Sequence, residues 1–450
     1  MTKQFRNKSF SRREFLKLGG GALTAAAGVS VLPRLMGNVL KPVTATEAVA
    51  APFNSVSLRW AGTDGWIHLP PAPAIPPYHP DPYAPALFTT YIFGFRNVTG
   101  LSDALVFAQK QKAQATAPMF WLKVGDELHM QLTNLGLAQR PDLVDSHTIH
   151  WHGFRNAIPF FDGEPNGSVS VPIGRTFEYV YRPHEAGTYP YHCHVEDVEH
   201  VHMGMTGLVF VRPAQDGDTT LYPSGKYAYD DRDGSTGFDR EFAFTLTEVW
   251  AEQHWGDAHI QLPEWTDYHP DFYLMNGRVY PDTLAPNGSI DPFNPVRDAN
   301  GDLIPPAGHA ELQYQPLSSL ARCNAGERVL FRVINLGFKE VSMTLAGIKM
   351  KVVGKDATLL RGRDGTDLSY VTNTLSLVAG NACEAIFTAP AFQGPGTYDP
   401  DVGANYDTYL FYNRAFMRVN NLDGSGYGGQ MTEVRVYPAG ALPAQTLPNT

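Results

Sequence analysis

An all-β protein made of two similar β-sandwich halves is what this sequence predicts, on three observations. Pro and Gly are abundant, 35 and 42 in 450 residues, and aromatic residues make up 12%, a composition suited to many short strands closed by turns. Apolar stretches alternate with polar residues, as in Val329-Leu-Phe-Arg-Val-Ile334, and are interrupted by Gly, Asn and Pro. One plan also occurs twice. In the first copy, Trp121-Leu-Lys-Val-Gly125 through Asn134-Leu-Gly136 leads into a histidine-rich segment. In the second, Ala325-Gly326 through Asn335-Leu-Gly337 leads to Val341-Ser-Met343-Thr344-Leu-Ala346-Gly347.

Setting Gly153 against Gly347 places Val341, Thr344 and Ala346 opposite His147, His150 and His152. Further on, Gly187-Thr-Tyr-Pro-Tyr-His192-Cys193-His194 matches Asp407-Thr-Tyr-Leu-Phe-Tyr412-Asn413-Arg414, and Met205-Thr matches Met431-Thr. Among the histidine, cysteine and methionine positions of the first copy, Met431 alone keeps the residue type on this pairing, and it is expected in the core. The first half is placed at 51–215 and the second at 268–440, with 216–267 linking or extending a domain and 441–450 as a tail. The acidic turn Asp230-Asp-Arg-Asp233 in the middle stretch has carboxylates enough for calcium, but a solvated loop is expected.

Residues 1–50 read as a targeting segment. Ser11-Arg12-Arg13-Glu14-Phe15-Leu16-Lys17 is a twin-arginine signature, followed by a modest apolar stretch and a cleavage-type Ala48-Val-Ala50. Export of a folded product to a bacterial periplasm is the expectation. Without residues 1–50 the chain has 27 basic and 43 acidic residues, a net charge of −16. Such a surface disfavours nucleic acid and anionic lipid and favours cationic partners. No apolar run of spanning length follows the N-terminal segment, so no transmembrane helix is expected.

The chemistry concentrates between His147 and Met205. The segment opens with His147-Thr-Ile-His150-Trp-His152-Gly and closes with His192-Cys193-His194, His200, His202 and Met205. Two imidazoles, a thiolate and a weak thioether are the donors of a blue-copper electron-transfer centre. Successive side chains of a strand face opposite sides, so Cys193 can serve one copper while His192 and His194 serve others.

These residues resemble the multicopper oxidase family. Its H-x-x-H-x-H-G is met by His147, His150, His152 and Gly153, and its H-C-H, then His, then Met, by His192, Cys193, His194, His200 and Met205. Asp162-Gly163, Val171-Pro-Ile-Gly174 and Gly187-Thr-Tyr189 resemble the family's connecting stretch. The resemblance implies two cupredoxin-like Greek-key domains of sandwich or barrel form. It implies a type 1 copper on His147, Cys193, His200 and Met205, and a type 2/type 3 half-site on His150, His152, His192 and His194. It also puts Asp162 where relatives carry an acid that orients a ligand or relays protons; a turn-capping aspartate is the other reading. Relatives place fewer residues between the cysteine and the next type 1 histidine than the six found here, and His202 competes with His200. His200 is preferred because Met205 then follows at the family's usual step.

With Cys193 assigned to copper, Cys323 and Cys383 are expected to pair in an oxidising compartment; two buried thiols are the alternative. The resemblance further implies a trinuclear oxygen-reducing cluster held by two histidine sets, of which this chain supplies one. His254, His259, His269 and His309 lack ligand spacing and read as surface or hydrogen-bonded residues. Three readings stay open: an oxidase completed by another copy or another chain, a nitrite-reductase-like enzyme, or a periplasmic copper-binding or electron-transfer protein. The reducing substrate, whether a phenol, a metal ion or a protein donor, is not legible in the sequence.

Overall fold

The computed structural model describes residues 54–422 and 424–450; the expected signal segment lies outside them. As predicted, the regular structure of the described residues is mostly strand. The first half contributes β1 (Ser55–Ile67), β2 (Thr90–Asn97), β3 (Phe120–Lys123), β4 (Glu127–Asn134), β5 (His150–Trp151), β6 (Thr176–Tyr181), β7 (Gly187–His192) and β8 (Thr206–Arg212). They form two sheets, β2-β1-β4-β6 and β3-β8-β7-β5. The next strands are β9 (Arg240–Val249), β10 (Phe272–Met275), β11 (Ala321–Asn324), β12 (Arg328–Asn335), β13 (Val341–Leu345), β14 (Met350–Lys355) and β15 (Thr358–Leu359). After them come β16 (Tyr370–Thr372), β17 (Thr374–Leu377), β18 (Ala382–Thr388), β19 (Thr397–Asp399), β20 (Ala404–Asn413) and β21 (Met431–Tyr437). Their sheets run β10-β9-β12-β18-β14-β15 and β11-β21-β20-β13-β17.

The two halves share one frame of strands. β1 lies parallel to β4 and antiparallel to β2, and β9 stands in the same relation to β12 and β10. β3 runs parallel to β8, as β11 does to β21. The counterpart of β1 is therefore β9, drawn from the stretch between the halves. Each sandwich closes over an aromatic core: Trp60, Phe120, Trp151 and Tyr191 in the first, Phe244, Phe331 and Phe411 in the second. Their rings meet at angled or edge-on contacts about 5–6 Å apart, which adds to the burial of apolar area.

Two expectations need correction. His192 pairs with Thr206, and Tyr412 pairs with Met431, so Met431 corresponds to Thr206. The amide of Cys193 bonds the carbonyl of Met205, and that of Asn413 bonds the carbonyl of Gln430. Gln430 is therefore the counterpart of Met205, and no donor of the first copy survives in the second. A one-residue slip exchanges the two faces of a strand, and the shared Met-Thr pair concealed it. The second correction concerns the cysteines. Cys323 and Cys383 are free and buried, one on β11 and one on β18. Those strands belong to facing sheets, which stack about 10 Å apart, beyond the reach of a disulfide. Burial raises both thiols, Cys323 to about 12, and they act as small apolar residues.

The acidic turn is consumed by its own loop. Asp231 accepts bonds from Gly234, Thr236 and Gln215, and Asp233 pairs with Arg361. Among the described residues no helix is long and apolar enough to cross a membrane.

A buried polar network joins the halves. The Thr188 amide donates to Glu384 at 2.7 Å, and Arg332 donates to Glu241 at 3.1 Å and to the Thr188 hydroxyl at 3.2 Å. Arg212 also donates to Glu241. Gly187, at φ +146°, brings its backbone so close to Ala357 that a Cβ would lie 2.6 Å from the Ala357 Cα. Arg332→Met leaves buried Glu241 with Arg212 as its one remaining cation and strips the Thr188 hydroxyl of its donor. The expected loss is about 3 kcal/mol, read as a lower denaturation midpoint at unchanged slope.

Candidate metal centre

Cys193 follows the last residue of β7. His147 is pinned by a two-way backbone bridge to Val171, at 3.0 and 2.8 Å. Asn134 holds the same loop through the carbonyls of Asp145 and Val171. The Nδ1 atoms of His147 and His200 face the Cys193 sulfur at 4.0 and 3.2 Å, and the Thr148 amide donates to it at 3.4 Å. All three side chains are buried. Burial alone would raise the Cys193 thiol, but the charge on His200 and bonds from both imidazoles hold it well below its ordinary value. Burial would likewise lower His200, yet the Cys193 thiolate and Asp145 keep it up at about 10. A thiolate with two converging Nδ1 atoms is the donor set of a type 1 copper, so the residues fit that metal. Met205 is buried beside them; a Cβ on Gly62 would meet His147 at 2.7 Å and the Met205 methyl at 3.5 Å.

The long interval between Cys193 and Met205 is taken up by a helix, Asp197–Met203, entered through Glu196 at φ 45°. Positions two apart on a helix point nearly opposite ways, so His200 and His202 cannot both face the sulfur. His200 does. His202 packs among Trp265, Tyr268, Phe338 and His254, with ring centroids 5.0–5.8 Å away. Its Nε2 accepts from the Trp250 amide at 3.3 Å. His202→Ala should therefore leave a copper-loaded chain's colour nearly intact, while His200→Ala removes it. The opposite pattern in visible spectra would reassign the ligand.

On the other side of Cys193, four imidazoles gather. His150 opposes His192 across β5 and β7. The rings of His150, His152, His192 and His194 lie 4.8–5.4 Å apart. Ligand atoms of the first three lie within 4.8 Å of one another, and the Nε2 atoms of His152 and His192 are 2.8 Å apart. His150 donates through Nδ1 to the Asp162 carbonyl at 2.8 Å, and His192 through Nδ1 to the Cys193 carbonyl at 2.7 Å. Both rings thereby keep Nε2 free as an acceptor. Burial and the neighbouring imidazoles push His152 down to about 4 and His192 to about 3, so both are neutral and ready to ligate at neutral pH.

The Asp162 carboxylate lies 3.6 Å from His150 Nδ1, close enough to act on the cluster. Gly163 follows at φ 77°, where a Cβ would run into the Ile149 carbonyl at 2.1 Å, so this turn can press against β5 only with glycine. The four second-half histidines are engaged elsewhere: His254 with the Tyr91 carbonyl, His259 with Asp81, His269 with the Asp267 carbonyl and His309 with Glu311. Asp145, whose Oδ2 lies 3.6 Å from His200 Nε2, was not marked by any sequence signal beyond its place two residues before His147. The cage of Trp265, Tyr268 and Phe338 had none.

The second copy reproduces the frame without the donors. Thr344 opposes Tyr412 across β13 and β20, as His150 opposes His192.

Residues 111–216 match a family model described as multicopper oxidase. Laccase-3 of Thanatephorus cucumeris is 23% identical over 62% of this chain, and putative laccase-17 of Oryza sativa subsp. japonica is 27% identical over 63%. The chain spans 41% of the length of each of these curated relatives. Among solved structures, a blue copper oxidase from Nitrosomonas europaea superposes at a TM-score of 0.52 with 17% identity, covering 86% of either chain. That likeness bears on the fold, which is cupredoxin-like in both halves.

Proposed function

We propose that this chain, whose residues 111–216 match a multicopper oxidase family model, is a copper-dependent oxidoreductase that takes electrons from a reducing substrate at Cys193 and delivers them to oxygen at the adjoining histidines. Copper, when bound, supplies one-electron exchange at the first site and oxygen reduction at the second. His147, Cys193, His200 and Met205 would hold the one; His150, His152, His192 and His194 would form half of the other. The twin-arginine segment suits action outside the cytoplasm.

One observation carries this reading: Cys193 belongs to both sites. Its sulfur faces His147 and His200, while its carbonyl accepts the Nδ1 proton of His192. A short path of covalent bonds and one hydrogen bond therefore links the two donor sets. Asp162, 3.6 Å from His150 Nδ1, would hold a proton at the cluster's edge. Val341, Thr344, Ala346, Tyr412, Asn413 and Arg414 offer no imidazole, so the missing donors would come from another subunit.

A nitrite-reductase-like site is the second reading, favoured by the tight group of His150, His152 and His192, which could hold a single copper with a ligand from a neighbour. The third is a copper-binding or electron-transfer protein without oxidase activity. Bound copper counted per chain, measured beside oxygen and nitrite consumption, separates them. Multiple coppers with oxygen uptake support the first, nitrite turnover the second, and one copper with neither activity the third.

A further inference from the structure

We propose, resting on the copper reading above, that the loop at 141–145 and the helix entry at 195–199 form the docking face for a positively charged one-electron carrier protein. The type 1 histidines give no edge to a small donor: His147 and His200 are both 0% exposed. Instead, His200 Nε2, which has no hydrogen-bond partner, points at Asp145, whose Oδ2 is likewise without one. Glu196 completes the group, with donor atoms of the three residues within 4.8 Å of one another. The route from His200 to the surface thus runs through two carboxylates.

The surface over them has the make-up of a protein contact. Val144 is 80% exposed on the loop that leads to Asp145, and Val198 is 53% exposed on the first turn of the helix that carries His200. Asp142, Glu196 and Asp197 stand exposed beside them. Arg140, the basic residue of the first loop, is held by Asp142 and Asp257, and no lysine occurs between Lys123 and Lys226. An apolar centre with a charged rim is how protein interfaces are built, and a one-sign rim steers an oppositely charged partner. A metal ion would make no use of the two valines. The carrier would give up one electron to the copper that His147, Cys193, His200 and Met205 would hold, taking it from copper(II) to copper(I) with no atom exchanged.

The test uses the full chain and ferrous cytochrome c, a lysine-rich haem protein, as probe. Calorimetry on the metal-free chain at low salt should show binding that weakens at least tenfold in Glu196→Gln/Asp197→Asn and severalfold in Val144→Ser/Val198→Ser. Neutralising Asp364 and Asp401, exposed acids of the second half, should change it little. In the copper-loaded chain, bleaching of the blue band by the probe should slow in parallel. Equal weakening by the Asp364/Asp401 variant would mean general charge attraction and overturn the proposal. So would loss of tight manganous-ion binding in Glu196→Gln/Asp197→Asn with probe binding unchanged. A chain that turns blue yet does not bind the probe sinks the docking face alone; a colourless copper-loaded chain sinks the copper reading.

Discussion

Cys193→Ser yields a folded, colourless protein. The blue colour expected of the copper-loaded chain comes from charge transfer between thiolate and metal, and a serine oxygen supplies neither the softness nor the ionised state. The Cys193 sulfur is 0% exposed and held as a thiolate by two imidazoles, so nothing else in the pocket can take its place. The fold should tolerate the change at a cost of about 1 kcal/mol, because the Thr148 amide that donates to sulfur can donate to a hydroxyl. Visible absorption and near-ultraviolet circular dichroism on copper-loaded wild type and variant decide the matter. A wild type that binds copper without strong visible absorption refutes the assignment.

His150→Ala removes oxygen uptake altogether, and in the unmodified chain that uptake rises with protein concentration. His150 touches three other rings of the cluster, and its Nδ1 bond to the Asp162 carbonyl aims its Nε2 toward them. Four-electron reduction of oxygen needs several coppers held together, and a lone chain offers half of their shell. Whatever buries that half-site gains the missing ligation, so metal binding drives association. Oxygen uptake measured over a dilution series, alongside sedimentation, tests both statements. Full turnover by a chain shown to be monomeric during the assay would place the missing ligands within it.

The fold was legible because alternation and turn residues mark strands locally, and because a repeat such as Asn134-Leu-Gly136 and Asn335-Leu-Gly337 marks equivalent corners. The candidate donors were legible for a similar reason: they cluster in two short runs of sequence, one around β5 and one that starts at the end of β7. Features made by distant residues were not. Nothing near Arg332 announces that it answers Glu241 and Thr188, and nothing near His202 announces Trp265 or Phe338. Register was also hidden, since Met205-Thr and Met431-Thr are identical in letters and one position apart in the sheet. Cys323 and Cys383 looked like partners only until their strands fell into opposite sheets.

The matched pairing of Thr344 with Tyr412 and of His150 with His192 has a consequence for how this architecture is rewritten. The second sandwich is a blank page ruled with the same lines. Histidine written at Thr344, Ala346, Tyr412 and Arg414 would recreate the imidazole quartet on a backbone that already has the spacing, with no loop to lengthen and no strand to move. Copper capacity in such a chain is a matter of spelling rather than of topology, gained or erased one letter at a time while the sandwich beneath stays the same.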